Sequence, residues 1–228
     1  MLQTSEFLGY NSQFSHDQFH HRFTVPEEIV EFFAFHSTDP GDYILKQKVF
    51  LSRNEVPSVT LETQRSNGYV LIVGNKFSHK HVLTTLSLFK KMNGAARVIV
   101  LGVKVGPEFS CVSYESGELS DEVVDALYAS ADCIIFPSHY EGFGFPIMHA
   151  LKHCKPVIAR NLPSAIEIKQ SVSFPDNVYL FETTAEMVKF FSSQPKWKAG
   201  SVDILTHVHS WKSCAFAMEK GLSRAIEK

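Results

Sequence analysis

Cysteine is scarce in this chain: Cys111, Cys133, Cys154 and Cys214 are the only four in 228 residues, and no two form a C-x-x-C pair. That spacing excludes a disulfide framework and a zinc ribbon. Three of the four sit in apolar surroundings, as free core thiols do. No apolar run approaches the ~20 residues that span a bilayer, and the N-terminus has no signal-peptide pattern. The reading is a reduced, cytoplasmic chain, or one peripheral at the inner face of a membrane. The formal charge of −2 gives no electrostatic reason to expect nucleic acid as a partner. Internal repeats and low-complexity tracts are absent. So are two phosphate-binding patterns: no G-x-x-x-x-G-K-[ST] occurs, and neither Gly74 nor Gly102 begins a G-x-G-x-x-G. A P-loop NTPase and a standard NAD enzyme are thereby disfavoured.

What is present is an ordinary globular composition, 44% apolar and 20% charged, in a chain long enough for one or two domains. Residues 1–66 are the least regular. Ser15 to Phe23 reads as a short helix, Glu28 to Phe35 as a strand, and Asp39-Pro40-Gly41-Asp42 as a turn. From Tyr69 the pattern sharpens. YVLIVG (Tyr69 to Gly74) and RVIVLG (Arg97 to Gly102) are continuous apolar runs, as strands covered on both faces require. Ser110 to Tyr114, Cys133 to Phe136, Val157 to Ala159 and Val178 to Phe181 extend the series. Helical segments lie between: Val82 to Met92, one capped by Ser120-Asp121-Glu122, one opening at Pro146, one from Pro163, then Thr184 to Phe191 and about 202–227. Alternation of this kind predicts an α/β fold, a doubly wound Rossmann-like parallel sheet, occupying residues 67–228. In such sheets ligands bind beyond the carboxyl ends of the strands. The loops at 75–80 and 138–144 are therefore expected to face one another.

The stretch from Asp132 to Arg160 is the centre of the chain. An apolar run leads into a turn with Gly142 and Gly144, then Pro146 opens a short helix that Lys155-Pro156 ends. The glycines let backbone N–H groups approach a ligand over the helix N-terminus, where the dipole favours an anion. Glu141 brings a carboxylate into that loop, and Lys80 lies in the loop after the first strand of the domain. A lysine on one wall and helix-terminal amides on the other suit a diphosphate. Glycines at a strand-to-helix turn are also useful with no ligand. His149 and His153 share a helix face at i, i+4 spacing, which suits a metal, but the sequence shows no third ligand and no metal is expected.

PSHYEGFGFPIMHALKHCKPVIAR (Pro137 to Arg160) resembles the "PS–x–x–E–G–F–G–x–P–x–x–E–A–x–x–x–G–x–P–V–I–A" stretch of retaining GT-B glycosyltransferases of family 4, the glycosyl transferase group 1 type. VGNKFSHKH, GELSDEVVDALYASAD and HSWKSCAFAM resemble three further family segments in the family's order. The resemblance implies the C-terminal, donor-binding half of a GT-B fold. It implies transfer of a hexose from a nucleotide sugar with no cofactor and no metal, to a saccharide or lipid-linked saccharide acceptor, in polysaccharide or glycoconjugate biosynthesis. By the same match Lys80 neutralises the leaving diphosphate and Glu141 hydrogen-bonds the donor sugar. Gly142, Phe143 and Gly144 present amides, Leu119 meets the nucleobase, and Gly74, Asn75 and Lys76 form the other wall.

Two positions depart from the family pattern. Its second acidic residue falls on His149, which cannot serve as a two-oxygen anionic acceptor, and a basic residue it often carries falls on Asn75 with Lys76 beside it. Residues 1–66 are too few for a second Rossmann domain. They read as a remnant of an N-terminal domain or the crossover from one, and a separate chain carrying an N-terminal GT-B domain is an expected partner. The alternative function is a degenerate, non-catalytic GT-B domain acting as a binding or assembly module.

Overall fold

The computed structural model describes residues 7–34, 68–92, 97–172, 175–192 and 211–226. The Asp39-Pro40-Gly41-Asp42 turn, the 66/67 domain boundary and positions 202–210 of the last expected helix fall outside them.

Six strands form one all-parallel sheet: β3 (Val70–Val73), β4 (Val98–Gly102), β5 (Val112–Glu115), β6 (Cys133–Phe136), β7 (Val157–Arg160) and β8 (Val178–Phe181). Their spatial order is β5-β4-β3-β6-β7-β8. Counted within the domain this is 3-2-1-4-5-6, the doubly wound Rossmann order. Each strand is only four or five residues long. The inner ones are covered on both faces, which is why they read as unbroken apolar runs. Leu71, Ile72, Ile134 and Ile135 are fully inaccessible to solvent, each side chain contributing about 1.5–3 kcal/mol of burial free energy.

The pleat sends alternate residues to opposite faces. Leu71, Ile99 and Ile134 pack with Leu127, Ile147 and Ala165. These come from helices α3 (Asp121–Ser130), α4 (Phe145–Lys152) and α5 (Pro163–Ser171). Ile72, Val100 and Ile135 pack on the other side with Val82, Leu86 and Met187, from α2 (Val82–Lys91) and α6 (Thr184–Ser192). The α/β, parallel-sheet reading is confirmed.

A second, two-stranded parallel sheet joins β1 (Phe7–Tyr10) to β2 (Val30–Phe33) through α1 (Gln13–Arg22). Periodicity predicts the helix and β2 but misses β1, whose four residues include a glycine. The last helix, α7 (Trp211–Ile226), lies across this small sheet. A Cβ at Gly221 would fall 2.3 Å from the Phe32 ring, so only glycine allows that approach.

One local expectation is corrected. Ser120 occupies the N-cap of α3 but makes no side-chain bond to the helix backbone. Among the cysteines, Cys133 and Cys214 are buried while Cys111 and Cys154 are half-buried. Burial pushes the Cys133 thiol up to about 12, so it is inert. No helix among the described residues is long and apolar enough to cross a membrane.

Candidate active site

In a 3-2-1-4-5-6 sheet the chain leaves the first strand to one side and the fourth to the other, and the crevice opens between their carboxyl ends. Here those strands are β3 and β6. Their loops do meet. The His139 backbone N–H donates to the His79 carbonyl at 2.7 Å, and the His81 and His139 rings lie 3.7 Å apart. His81 caps α2 in the left-handed region, with φ 51°, which turns the chain sharply from the loop into the helix.

Lys80 and Glu141 are brought together at this crevice, the Nζ donating to Oε1. Both side chains are largely withdrawn from solvent, at 16% and 14% exposure. The ammonium also stands 5.6 Å from the centre of the Phe136 ring, the last residue of β6. A charge so placed is tolerated because each member compensates the other. Lys80 lines a cleft of about 360 Å³ whose walls also include Gly74, Asn75, Leu119, Phe136 and Pro146. An ammonium has three donors and Glu141 uses one, so Lys80 has capacity for an anion entering the cleft.

The remaining predicted residues separate into two groups. Gly74, Asn75 and Leu119 line the cleft. The Asn75 side chain accepts from the Phe77 N–H at 3.1 Å, shaping the loop. Lys76 is exposed outside the cleft lining. Phe143 is buried in the core at 5% exposure. The Gly142 carbonyl accepts from Ser12 Oγ at 2.6 Å and Ser15 Oγ at 3.3 Å, which ties α1 to this loop. Gly144 is the N-cap of α4 with φ 104°, a conformation that favours glycine. Pro146 is the second helical residue, not the first, and it borders the cleft, so the α4 N-terminus lies at the cleft wall.

His149 is not among the residues that line the cleft and is turned toward α3. Its Nε2 is 3.0 Å from Asp125 Oδ1, and its ring stacks on Tyr128 at 4.2 Å. The same carboxylate oxygen receives Lys152 Nζ at 3.0 Å and His153 Nε2 at 2.9 Å. Burial pushes the Asp125 carboxyl up, but hydrogen bonds from His149 and His153 outweigh it and hold it well below the usual range. Burial holds the His149 imidazole below its ordinary value, against the opposing pull of Asp125. Asp125 is thus the third potential ligand missing from the linear pattern. Lys152 already places a cation on its ligating oxygen, so the cluster is satisfied as an ion-pair network.

Sequence reasoning also missed Phe136 beneath Lys80, the Glu115–Gly117 edge of the cleft, and Ser12 with Ser15 on the Gly142 loop. The contacts of Phe136 and the two serines come from register and long-range docking, which leave no local pattern.

Residues 60–187 match the family described as glycosyl transferases group 1. Over 165 residues the chain is 27% identical to O-antigen chain mannosyltransferase B of Escherichia coli, covering 62% of this chain and 42% of that protein. A 52-residue stretch is 44% identical to serotype-specific mannosyltransferase WbdA of the same organism, covering 23% of this chain and 6% of that one. The chain therefore spans less than half the length of these curated relatives. Among solved structures it superposes on sucrose-phosphate synthase from Thermosynechococcus elongatus with a TM-score of 0.64 at 17% identity, over 99% of this chain and 59% of that one. The glycosyltransferase WaaG gives 0.55 at 15% identity, over 95% and 53%. These two likenesses concern the fold alone.

Proposed function

The chain belongs to the glycosyl transferases group 1 family, and from that premise we propose that it binds a nucleotide sugar at the Lys80–Glu141 crevice as the donor half of a retaining glycosyltransferase. The observation that carries the reading is the meeting of these two residues at the β3/β6 switch point, over a cleft bordered by the α4 N-terminus. In this reading the donor diphosphate takes up the Lys80 ammonium, and its remaining charge faces the positive end of the α4 dipole. Glu141, released from Lys80, accepts hydrogen bonds from the sugar hydroxyls. Charge grows on the diphosphate as the sugar leaves, and a preorganised ammonium stabilises that charge more than the ground state. Leu119 and Val124 supply apolar contact for a base at the other end of the cleft.

The mannosyltransferase relatives favour a mannosyl donor, with a saccharide or lipid-linked saccharide as acceptor. Acceptor contacts would come from a GT-B N-terminal domain, in the same protein or in a partner chain. Isothermal titration with UDP-, GDP- and ADP-sugars tests the donor reading. Saturable binding of one class is expected, and no measurable binding of any would overturn it. A second reading, a non-catalytic binding module, is favoured by His149 being engaged with Asp125. It predicts nucleotide binding without sugar transfer when acceptor and the N-terminal domain are supplied.

A further inference from the structure

Away from the cleft, the small sheet and its helix assemble a second group of chemically active side chains. His16 and His20 are one helical turn apart on α1, so both rings project from the same face. Their ring centroids are 4.2 Å apart. Glu31, on β2, reaches up beneath them, its Oε1 2.6 Å from His20 Nε2. One ligand atom from each of the three lies within 4.8 Å of the others. Two atoms bound to a single zinc ion at about 2.0–2.2 Å lie about 3.3–3.5 Å apart in a tetrahedral site, so small side-chain rotations close the remaining gap. The three side chains are 26%, 35% and 30% exposed, which leaves an entry path for an ion.

The surroundings are those of a ligand set. His16 Nδ1 is 2.9 Å from Asp17 Oδ1. A proton held between them leaves Nε2 as the lone-pair nitrogen, the carboxylate–histidine arrangement that orients metal-binding imidazoles. Tyr10 donates its hydroxyl to Glu31 Oε1 at 2.5 Å, fixing the carboxylate. The Tyr10 and Phe33 rings lie 4.9 and 5.3 Å from the His16 ring and wall the group on its inner side. The Asp125 cluster differs in this respect: there a lysine ammonium sits on the shared oxygen, whereas among the described residues none of the ion pairs made by His16, His20 or Glu31 involves lysine or arginine.

We propose that His16, His20 and Glu31 form a binding site for a divalent transition ion of the zinc class, clamping α1 onto β2. Two imidazoles and one carboxylate suit zinc, nickel or cobalt, and disfavour magnesium and calcium, which take oxygen ligands. Three protein ligands leave the remaining coordination to water. The ion would link residues 11 positions apart and brace the element that carries Ser12 and Ser15 to the Gly142 loop.

The test is titration of the intact chain with Zn²⁺ in competition with a chromogenic chelator, with Co²⁺ as a spectroscopic probe. One equivalent is expected, with a d–d absorption band in the cobalt form and a Tm that rises on adding zinc. His16→Gln/His20→Gln should lose that equivalent and the Tm response, and Glu31→Gln should weaken binding at least about tenfold. Asp17→Asn, which touches no ion, should weaken it by about 10–100-fold. His149→Gln/His153→Gln should keep the equivalent. Absence of stoichiometric uptake by the intact chain, or an equivalent that persists in the His16/His20 variant, overturns the proposal. So does an equivalent lost only with His149 and His153.

Discussion

Lys80 and Glu141 stand 61 positions apart in the chain, yet their side chains form an ion pair across the crevice between β3 and β6. The pair is a product of strand order. Placing the fourth strand of the domain beside the first is what puts one loop's lysine within reach of the other loop's carboxylate.

The first prediction follows from that pairing. Lys80→Met should weaken nucleoside diphosphate binding by about 10–100-fold, the loss of about 1.5–3 kcal/mol for a charge-assisted hydrogen bond. It also strands Glu141, a half-buried carboxylate, so stability should fall by about 1–3 kcal/mol. Lys80→Met/Glu141→Gln should recover most of that stability and none of the binding. Calorimetric titration and urea denaturation on the same three proteins separate the two effects. Recovery of binding in the double variant would count against Lys80 as the anion's partner.

Gly102 closes β4 with φ 111°, and a Cβ there would lie 2.7 Å from the Gly74 carbonyl oxygen. That contact is with backbone, so relief requires moving the β3 loop that carries Asn75 and Lys80. Gly102→Ala should cost about 1–3 kcal/mol in urea denaturation and should weaken nucleotide binding as the cleft wall shifts. Gly117→Ala, on the cleft edge, is the control for stability alone. It has φ 83° but nothing within 4 Å of its Cβ, so only the left-handed backbone cost of about 1–2 kcal/mol applies.

The strands of the main domain were legible because burial on both faces leaves a local trace, an apolar run such as Val70–Val73. The facing of the 75–80 and 138–144 loops was legible too, since parallel topology dictates it. Lys80 and Glu141 could be named because their loops resemble family segments, but not their contact, which depends on side-chain reach across two loops. β1 escaped because a four-residue strand with a glycine carries little periodicity. The environment of His149 escaped because its partner, Asp125, is 24 positions away on another helix. A helix-to-helix contact of that kind has no expression in sequence spacing.

Ser12 joins two parts of the molecule. Its Oγ accepts from the Ser15 N–H at 3.0 Å, capping α1, and donates to the Gly142 carbonyl at 2.6 Å. Ser12 is almost completely buried, at 1% exposure, so neither bond can be replaced by bulk water. Ser12→Ala should lose about 1–2 kcal/mol from the cap and leave the Gly142 carbonyl with only the longer bond from Ser15 Oγ at 3.3 Å. If the Gly142 loop is held by α1, nucleotide affinity should fall as well. An affinity equal to that of the parent protein, with stability reduced, would show that the loop holds its shape without α1.

The Asp125 network sets the last expectation, a dependence of stability on pH. Asp125 is held below the ordinary carboxylate range. A depressed carboxyl contributes stability above its unfolded value of about 3.9, and that contribution is lost as pH falls below it. His149 is also held below its ordinary value, by burial. Its unfolded form takes a proton near pH 6.5 while the folded form resists, so acid favours the unfolded chain from about that pH downward. Both terms have the same sign and act in successive windows. Urea midpoints should therefore fall from pH 7 to 5.5 and fall further below pH 5. His149→Gln should flatten the upper part of the curve, and Asp125→Asn the lower part, at some cost in stability at pH 7. A midpoint that rises between pH 7 and 5.5 would mean that the Asp125 carboxylate outweighs burial at His149. The imidazole would then be protonated in the folded state, and the network would be strengthened by acid.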